Sequence, residues 1–233
     1  EYLIKSLSKN KHIIVEKPLV SSFSEFVKLK NKIQNYKKII LINHTDLYVN
    51  AYLHLKKKIN QIGKIKNAKL IYGKIDPYKS KNITTKYKLP HFEWLPHPLA
   101  IIIDLFKDQN FKIKLFEKRK IIKKFVKQNL LIKLFKKNLN IEIYFSNDFK
   151  NRKRNLEIYG SSGKLVYKGY NKNKCFLIRN KKTKNLKAKD IDPIKNLLSN
   201  FKLKFKRKKF KDDKKLIYSS TKYLFEISNL LDF

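Results

Sequence analysis

Residues 12–18 read His-Ile-Ile-Val-Glu-Lys-Pro, an apolar run that stops abruptly in a carboxylate, a lysine and a proline. A short apolar run without polar alternation is the pattern of a strand buried on both faces, as in a parallel sheet. Parallel strands need a crossover between them, usually a helix, and the next residues supply one. Ser22 and Glu25 stand in capping-box spacing, hydroxyl to the N3 amide and carboxylate back to the cap. Phe23, Phe26, Val27 and Ile33 then form one apolar helical face, and 38–42 is a second apolar strand. This order predicts a βαβ unit with two parallel strands. In open α/β sheets ligands bind just past the carboxyl ends of the strands, which is where Glu16 and Lys17 stand. Pro18 fixes the backbone there, and a cis bond is one way for a proline to do so.

After Asn43-His44-Thr45 the pattern changes. Residues 47–62 read as one long amphipathic helix closed by Gly63, and 64–75 alternate as a strand. Residues 76–90 are polar and irregular, a loop long enough to carry function. Pro98 opens a short apolar helix over 98–106. The remainder is mostly β: 111–116, 130–135, 141–145, 155–159, 164–167 and 175–178 read as strands. Several alternate apolar residues with Lys, which suits a sheet with one wet face. Gly160-Ser161-Ser162-Gly163 joins two of them as a tight hairpin. That turn lacks the Gly-Lys-Ser/Thr ending of a phosphate loop. Two helices, about 193–205 and 212–230, close the chain. The boundary falls near Thr45–Leu47, with an α/β unit over 1–46 and an α+β unit over 47–233.

The charge demands an account: 57 Lys and Arg against 18 Asp and Glu give +39. Nucleic acid or an anionic surface is one reading. The other is a compositional bias toward Lys, Asn and Ile, which fits better. Only Arg119, Arg152, Arg154, Arg179 and Arg207 are arginines, whereas base readout leans on the arginine fork. The lysines also spread through every segment, and the densest run, 202–215, reads as a solvated helix face. The single Cys175 excludes an internal disulfide and a cysteine zinc cluster. His12, His54 and His91 show no ligand spacing with neighbouring acids, so no metal is expected. No apolar run reaches the length of a membrane span. A first residue Glu1 and the absence of Met predict a fragment lacking its own N-terminus.

Four pieces of the sequence together resemble one family, the glucose–fructose oxidoreductase/inositol dehydrogenase family (Gfo/Idh/MocA) of nicotinamide-dependent enzymes. They are His12-Ile-Ile-Val-Glu-Lys-Pro-Leu19; Asn43-His44-Thr45-Asp46-Leu47-Tyr48 leading to Ile62-Gly63-Lys64-Ile65; Glu93-Trp94-Leu95-Pro96-His97-Pro98; and Leu156-Glu157-Ile158-Tyr159-Gly160 with Gly163-Lys164-Leu165. The ordered set spans nearly the whole chain. The resemblance implies the tail end of a Rossmann doubly wound sheet, followed by a large, mostly antiparallel open sheet packed on helices. It also implies an NAD or NADP cofactor and a small-molecule sugar substrate. The His-Thr-x-Leu-Tyr and Trp-x-Pro-His pieces look most like members acting on nucleotide sugars for surface polysaccharide synthesis in the cytoplasm. A homo-oligomer through the second sheet is implied, with no specific nucleic acid and no membrane as partner. No G-x-G-x-x-G occurs, so these 233 residues alone are expected to bind NAD(P) poorly and to be inactive.

Hydride transfer from a carbinol needs a base for the hydroxyl proton and a positive group near the developing alkoxide. The resemblance implies His97 as the base and Lys17 as the cation. The residues alone leave both open, since a lysine here is ordinarily a surface group and a histidine before a helix is often a cap. With Pro98 opening the helix, His97 is expected beside the cap, where the helix dipole disfavours the imidazolium. Glu93, where the family usually has Asp, is expected to orient His97. Glu16, Lys17, Pro18 and His44 are expected to line the cofactor, with Glu16 ordering the turn. Trp94 reads as packing. Tyr48 and Lys56 stand where the family often places substrate contacts. A basic nucleic-acid module and a non-catalytic scaffold of the same fold are the rival readings.

Overall fold

The protein's structure, a computed structural model, describes residues 2–107, 110–169, 174–207 and 211–231, with side chains from 214 in the last segment. It opens with α1 (Tyr2–Ser8), β1 (Ile13–Val15), α2 (Phe23–Gln34) and β2 (Ile40–Ile42). β1 and β2 pair in parallel, Ile13 opposite Ile40 and Val15 opposite Ile42, as a βαβ unit requires. Ser22 caps α2 by accepting from the Glu25 amide at 3.2 Å. The Glu25 carboxylate reaches one residue further back than the standard box, to the amide and hydroxyl of Ser21 at 3.0 and 2.9 Å. The Lys17–Pro18 bond is cis.

The single helix expected over 47–62 is three pieces: a 3₁₀ turn (Thr45–Tyr48), α3 (Asn50–Lys57) and a second 3₁₀ turn (Ile59–Ile62). Val49 lies between the first two in extended conformation. Leu47, Tyr52, Leu55 and Ile62 are all buried, which is what the periodicity reported. Periodicity gives the buried positions and does not require unbroken backbone between them. Gly63 ends the segment with φ of 74°, where a Cβ would stand 2.3 Å from the Ser161 hydroxyl.

Then come β3 (Ile65–Gly73), β4 (Tyr78–Lys79), α4 (Pro90–Trp94) and α5 (Pro96–Phe106). They are followed by β5 (Lys112–Ile122), β6 (Phe125–Lys136), β7 (Leu139–Ser146), β8 (Lys153–Gly160), β9 (Gly163–Lys168), β10 (Lys174–Arg179) and β11 (Lys182–Asn185). The chain ends with α6 (Pro193–Arg207) and α7 (Lys211–Asn229). The six expected strands are all present; β4 and β11 were not expected. The large sheet runs β11-β10-β9-β8-β3-β7-β6-β4, with β5 also on β6. Every pairing is antiparallel except β3 with β7. The expected fold class holds: a small parallel unit, then a large, mostly antiparallel open sheet carrying helices. Part of the lysine-rich run, 208–210, lies outside the described residues.

The register explains which side chains face in. Tyr167, Leu156, Leu70, Ile143, Ile132 and Leu115 form one row across six strands, facing the helices. One residue along, Ile71, Tyr144, Leu131 and Phe116 form a row on the opposite face, where Phe116 is 56% exposed. The core is continuous from β1 and β2 through to α7. Phe225, fully buried on α7, stacks on Phe26 of α2 at 5.7 Å and meets Phe92 of α4 at 5.4 Å. Truncating such a ring to Ala costs about 3–5 kcal/mol. These contacts hold the parallel unit against the helices that carry Glu93 and His97.

Candidate active site

The site forms where β1 and β2 end. Glu16 accepts a 2.7 Å hydrogen bond from Asn43 Nδ2, which ties the two strand ends together. Lys17 turns inward instead. Its Nζ donates to the Glu93 backbone carbonyl at 2.9 Å and lies 4.0 Å from Glu93 Oε1. Burial lowers the Lys17 pKa, against the opposing pull of the Glu93 and Glu16 carboxylates.

His97 lies on α5, inside its first turn, because the helix starts at Pro96 and not at Pro98. Pro98 is the third helical residue, so the helix starts two residues earlier than expected and His97 is its second residue, not a residue beside the cap. The imidazole Nδ1 stands 2.9 Å from Asp46 Oδ2, a close polar contact that does not meet hydrogen-bond geometry. The Tyr72 ring stacks on it, 6.0 Å between centroids and 17° between planes. Asp46 is buried in the 3₁₀ turn after β2. Arg154 Nη1 of β8 donates to its Oδ1 at 2.6 Å, and the Tyr72 hydroxyl of β3 donates to its Oδ2. Burial alone would raise the Asp46 pKa; His97, Arg154 and Tyr72 outweigh it and hold the carboxyl well below the usual carboxylate range. Burial and the neighbouring carboxylate push the Tyr72 phenol well up.

His44 closes the cluster. It ends β2's extension, is 2% exposed, and neither ring nitrogen has a hydrogen-bond partner. Its ring meets that of His97 edge-on at 6.4 Å. Burial, with the neighbouring His97 and Lys17, lowers its pKa to about 3 despite Asp46. Lys17, His44, Asp46, His97 and Arg154 thus share one electrostatic environment.

Glu93 stands apart from the imidazole. Its half-exposed carboxylate receives the Tyr78 hydroxyl and faces Lys17, so the contact to His97 expected of Glu93 is made by Asp46. Helix geometry is the reason: Glu93 is on α4 and His97 on α5, with Leu95 between the two helices. Trp94 is buried and donates to Asp76 Oδ2 at 2.9 Å, a packing role. Lys56 pairs with Asp104 at 2.6 Å, beside the Tyr52 hydroxyl on the same carboxylate, tying α3 to α5. Among the described residues no group of three His, Cys, Asp or Glu is placed to hold a metal ion, and no helix is long and apolar enough to cross a membrane.

Asp46, Tyr72 and Arg154 were not singled out from the sequence. One signal was present: Asp46 is one of only 18 acids, placed directly after a strand end, and Arg154 is one of a handful of arginines.

Asn43 Oδ1 and both His44 nitrogens are buried at the strand ends without a hydrogen-bond partner, beside the inward Lys17. The phosphates of a dinucleotide have no cradle in these residues, since no glycine-rich turn is present.

Comparison with solved structures gives strong matches to the architecture. A protein assigned as an oxidoreductase from Magnetospirillum magnetotacticum MS-1 superposes with a TM-score of 0.80 at 18% identity, covering 94% of this chain and 73% of its own. The UDP-N-acetylglucosamine 3-dehydrogenase GnnA from Acidithiobacillus ferrooxidans gives 0.77 at 11%, covering 98% and 73%. Biliverdin reductase from Synechocystis sp. PCC 6803, solved with biliverdin and NADP+, gives 0.73 at 15%, covering 97% and 72%. The chain has their fold. No protein-family description and no curated protein matches the sequence.

Proposed function

We propose that the chain is the substrate-facing part of an NAD(P)-dependent oxidoreductase of the Gfo/Idh/MocA type, interconverting a ring hydroxyl and a ketone on a sugar. The observation that carries this reading is the convergence of Lys17, His44 and His97 at the carboxyl ends of two parallel strands. A neighbour in fold that acts on a UDP-sugar supports a nucleotide sugar as substrate, and with it a cytoplasmic role in surface polysaccharide synthesis. Residues 1–46 then close a dinucleotide-binding domain, and 47–233 form the substrate-binding domain. Glu16, Lys17, Pro18 and His44 face the nicotinamide end of NAD or NADP, which supplies the hydride acceptor when bound.

The chain's own residues handle the proton and the charge. His97 Nε2 takes the hydroxyl proton. Lys17 holds its ammonium against the oxygen as it becomes an alkoxide, in a buried setting where that charge counts for more than in water. Glu93 acts through Lys17, by its carbonyl and its carboxylate. The outward row of Ile71, Tyr144, Leu131 and Phe116 supports association of two copies through the sheet. The lysines, spread over most of the chain's elements without forming one patch of the sequence, support no specific nucleic-acid partner.

The test is a nucleotide-sugar screen of the full-length protein with NAD+ and NADP+, followed by His97→Ala and Lys17→Ala. Each substitution should reduce turnover by at least about 100-fold. Near-native rates in both variants would remove this site assignment.

A further inference from the structure

We propose that Asp46 is the positioning residue of this site: it fixes the His97 imidazole with its hydrogen on Nδ1 and so leaves Nε2 as the lone pair that takes the substrate proton. The inference deepens the reading of His97 as proton acceptor and rests on it for the last step only.

An ionised carboxylate only accepts. Asp46 receives Arg154 Nη1 on Oδ1 at 2.6 Å and the Tyr72 hydroxyl on Oδ2. A guanidinium has no acceptor to offer, so the carboxylate is held as an anion. His97 Nδ1 lies 2.9 Å from the same Oδ2, close enough to bond though not aligned as a hydrogen bond in the structure, and no other group bonds to it. Facing an acceptor, Nδ1 must carry the hydrogen, and a neutral imidazole then has its lone pair on Nε2. Nε2 makes no hydrogen bond among the described residues.

The ring is also held in place. Tyr72 covers one face, and the His44 edge stands beside it at 72°. Tyr72 therefore acts twice, bonding to Asp46 through its hydroxyl and stacking on His97 through its ring. Glu93 cannot substitute, because its carboxylate is 55% exposed and engaged with Tyr78 and Lys17.

The decisive experiment is tautomer assignment by long-range ¹H–¹⁵N correlation on the ¹⁵N-histidine-labelled full-length protein, with His97→Gln to identify the signals. The expected result is hydrogen on His97 Nδ1 with Nε2 bare; hydrogen on Nε2, alone or on both nitrogens, overturns the proposal. The kinetic arm is Asp46→Asn, whose amide can present a donor to Nδ1. We expect kcat to fall roughly 10- to 100-fold with KM within about two-fold, and a mixed tautomer signal. Wild-type kcat in Asp46→Asn also overturns it. Should that variant fail to fold with Arg154 unpaired, the wild-type tautomer decides alone. The two readings fail separately. Hydrogen on Nδ1 with full turnover in His97→Ala sinks the base and keeps the positioning contact. Hydrogen on Nε2 with a dead His97→Ala does the reverse.

Discussion

His91 and His97 lie six residues apart on consecutive helices, both buried, and their hydrogen bonding is opposite. His91 is saturated. Its amide and Nδ1 meet Gln128 Oε1 at 3.0 and 3.3 Å, and its Nε2 meets the Ser228 hydroxyl at 2.9 Å. It bolts α4 to β6 and α7. His97 has one nitrogen aimed at a carboxylate and the other unengaged, and it stands beside His44, which has no partner at all. Burial therefore does not distinguish the two histidines. The count of satisfied nitrogens does, and on the proposed reading it separates a structural ring from a reactive one.

The sharpest way to break this contrast is to exchange the losses. His97→Ala should remove roughly 10²- to 10⁴-fold of turnover, the usual worth of a general base, and cost less stability than His91→Ala, since it leaves fewer hydrogen-bonded partners unpaired. His91→Ala should keep kcat within a few-fold and cost about 2–4 kcal/mol of stability, through a cavity and two polar partners left unpaired. Unfolding curves and initial rates on both variants decide it. A dead but stable His91→Ala would void the distinction.

The same contrast explains what the sequence allowed. The parallel unit was legible from two apolar runs, a capping pair and the Glu-Lys-Pro stop, because each is a local signal. The sheet strands were legible because one wet face imposes alternation. The Asp46–His97–Arg154–Tyr72 cluster was not, because its members come from the 3₁₀ turn, α5, β8 and β3 and meet only when β3 lies between β7 and β8. The near-sequence acid, Glu93, was the natural partner for His97 by spacing. The break between α4 and α5 at Leu95 turned it away.

Acid should destabilise the fold through His44 and His91 together. His44 and His91 are held by burial at about 3, against an ordinary 6.5. The unfolded chain takes up these protons first, so stability is complete above about pH 6.5 and is lost as pH falls toward 3. Each histidine contributes a slope approaching 1.4 kcal/mol per pH unit, or about 4 kcal/mol for the pair between pH 7.5 and 5. Asp46, depressed as an acid, adds a loss of the same sign at still lower pH. Urea unfolding at pH 7.5, 6 and 5 measures this, and His91→Asn should remove about half of the slope. Equal stability at pH 7.5 and 5 would mean that these rings are not buried as neutral bases.

The smallest effect belongs to Glu93. Its backbone carbonyl, which anchors Lys17, survives substitution, and its carboxylate is half exposed and 4.0 Å from the ammonium. Partly exposed pairs of this kind are worth about 0–1 kcal/mol, so Glu93→Gln should lower kcat by no more than about five-fold. The carboxylate raises the Lys17 pKa against burial; removing it should move the basic limb of the kcat profile to lower pH, since less of Lys17 stays charged. A loss as large as that of His97→Ala, with the basic limb unmoved, would make Glu93 the partner of the imidazole. Asp46 would then be a structural anion for Arg154, and His97 would need its proton placed by the acid four residues before it.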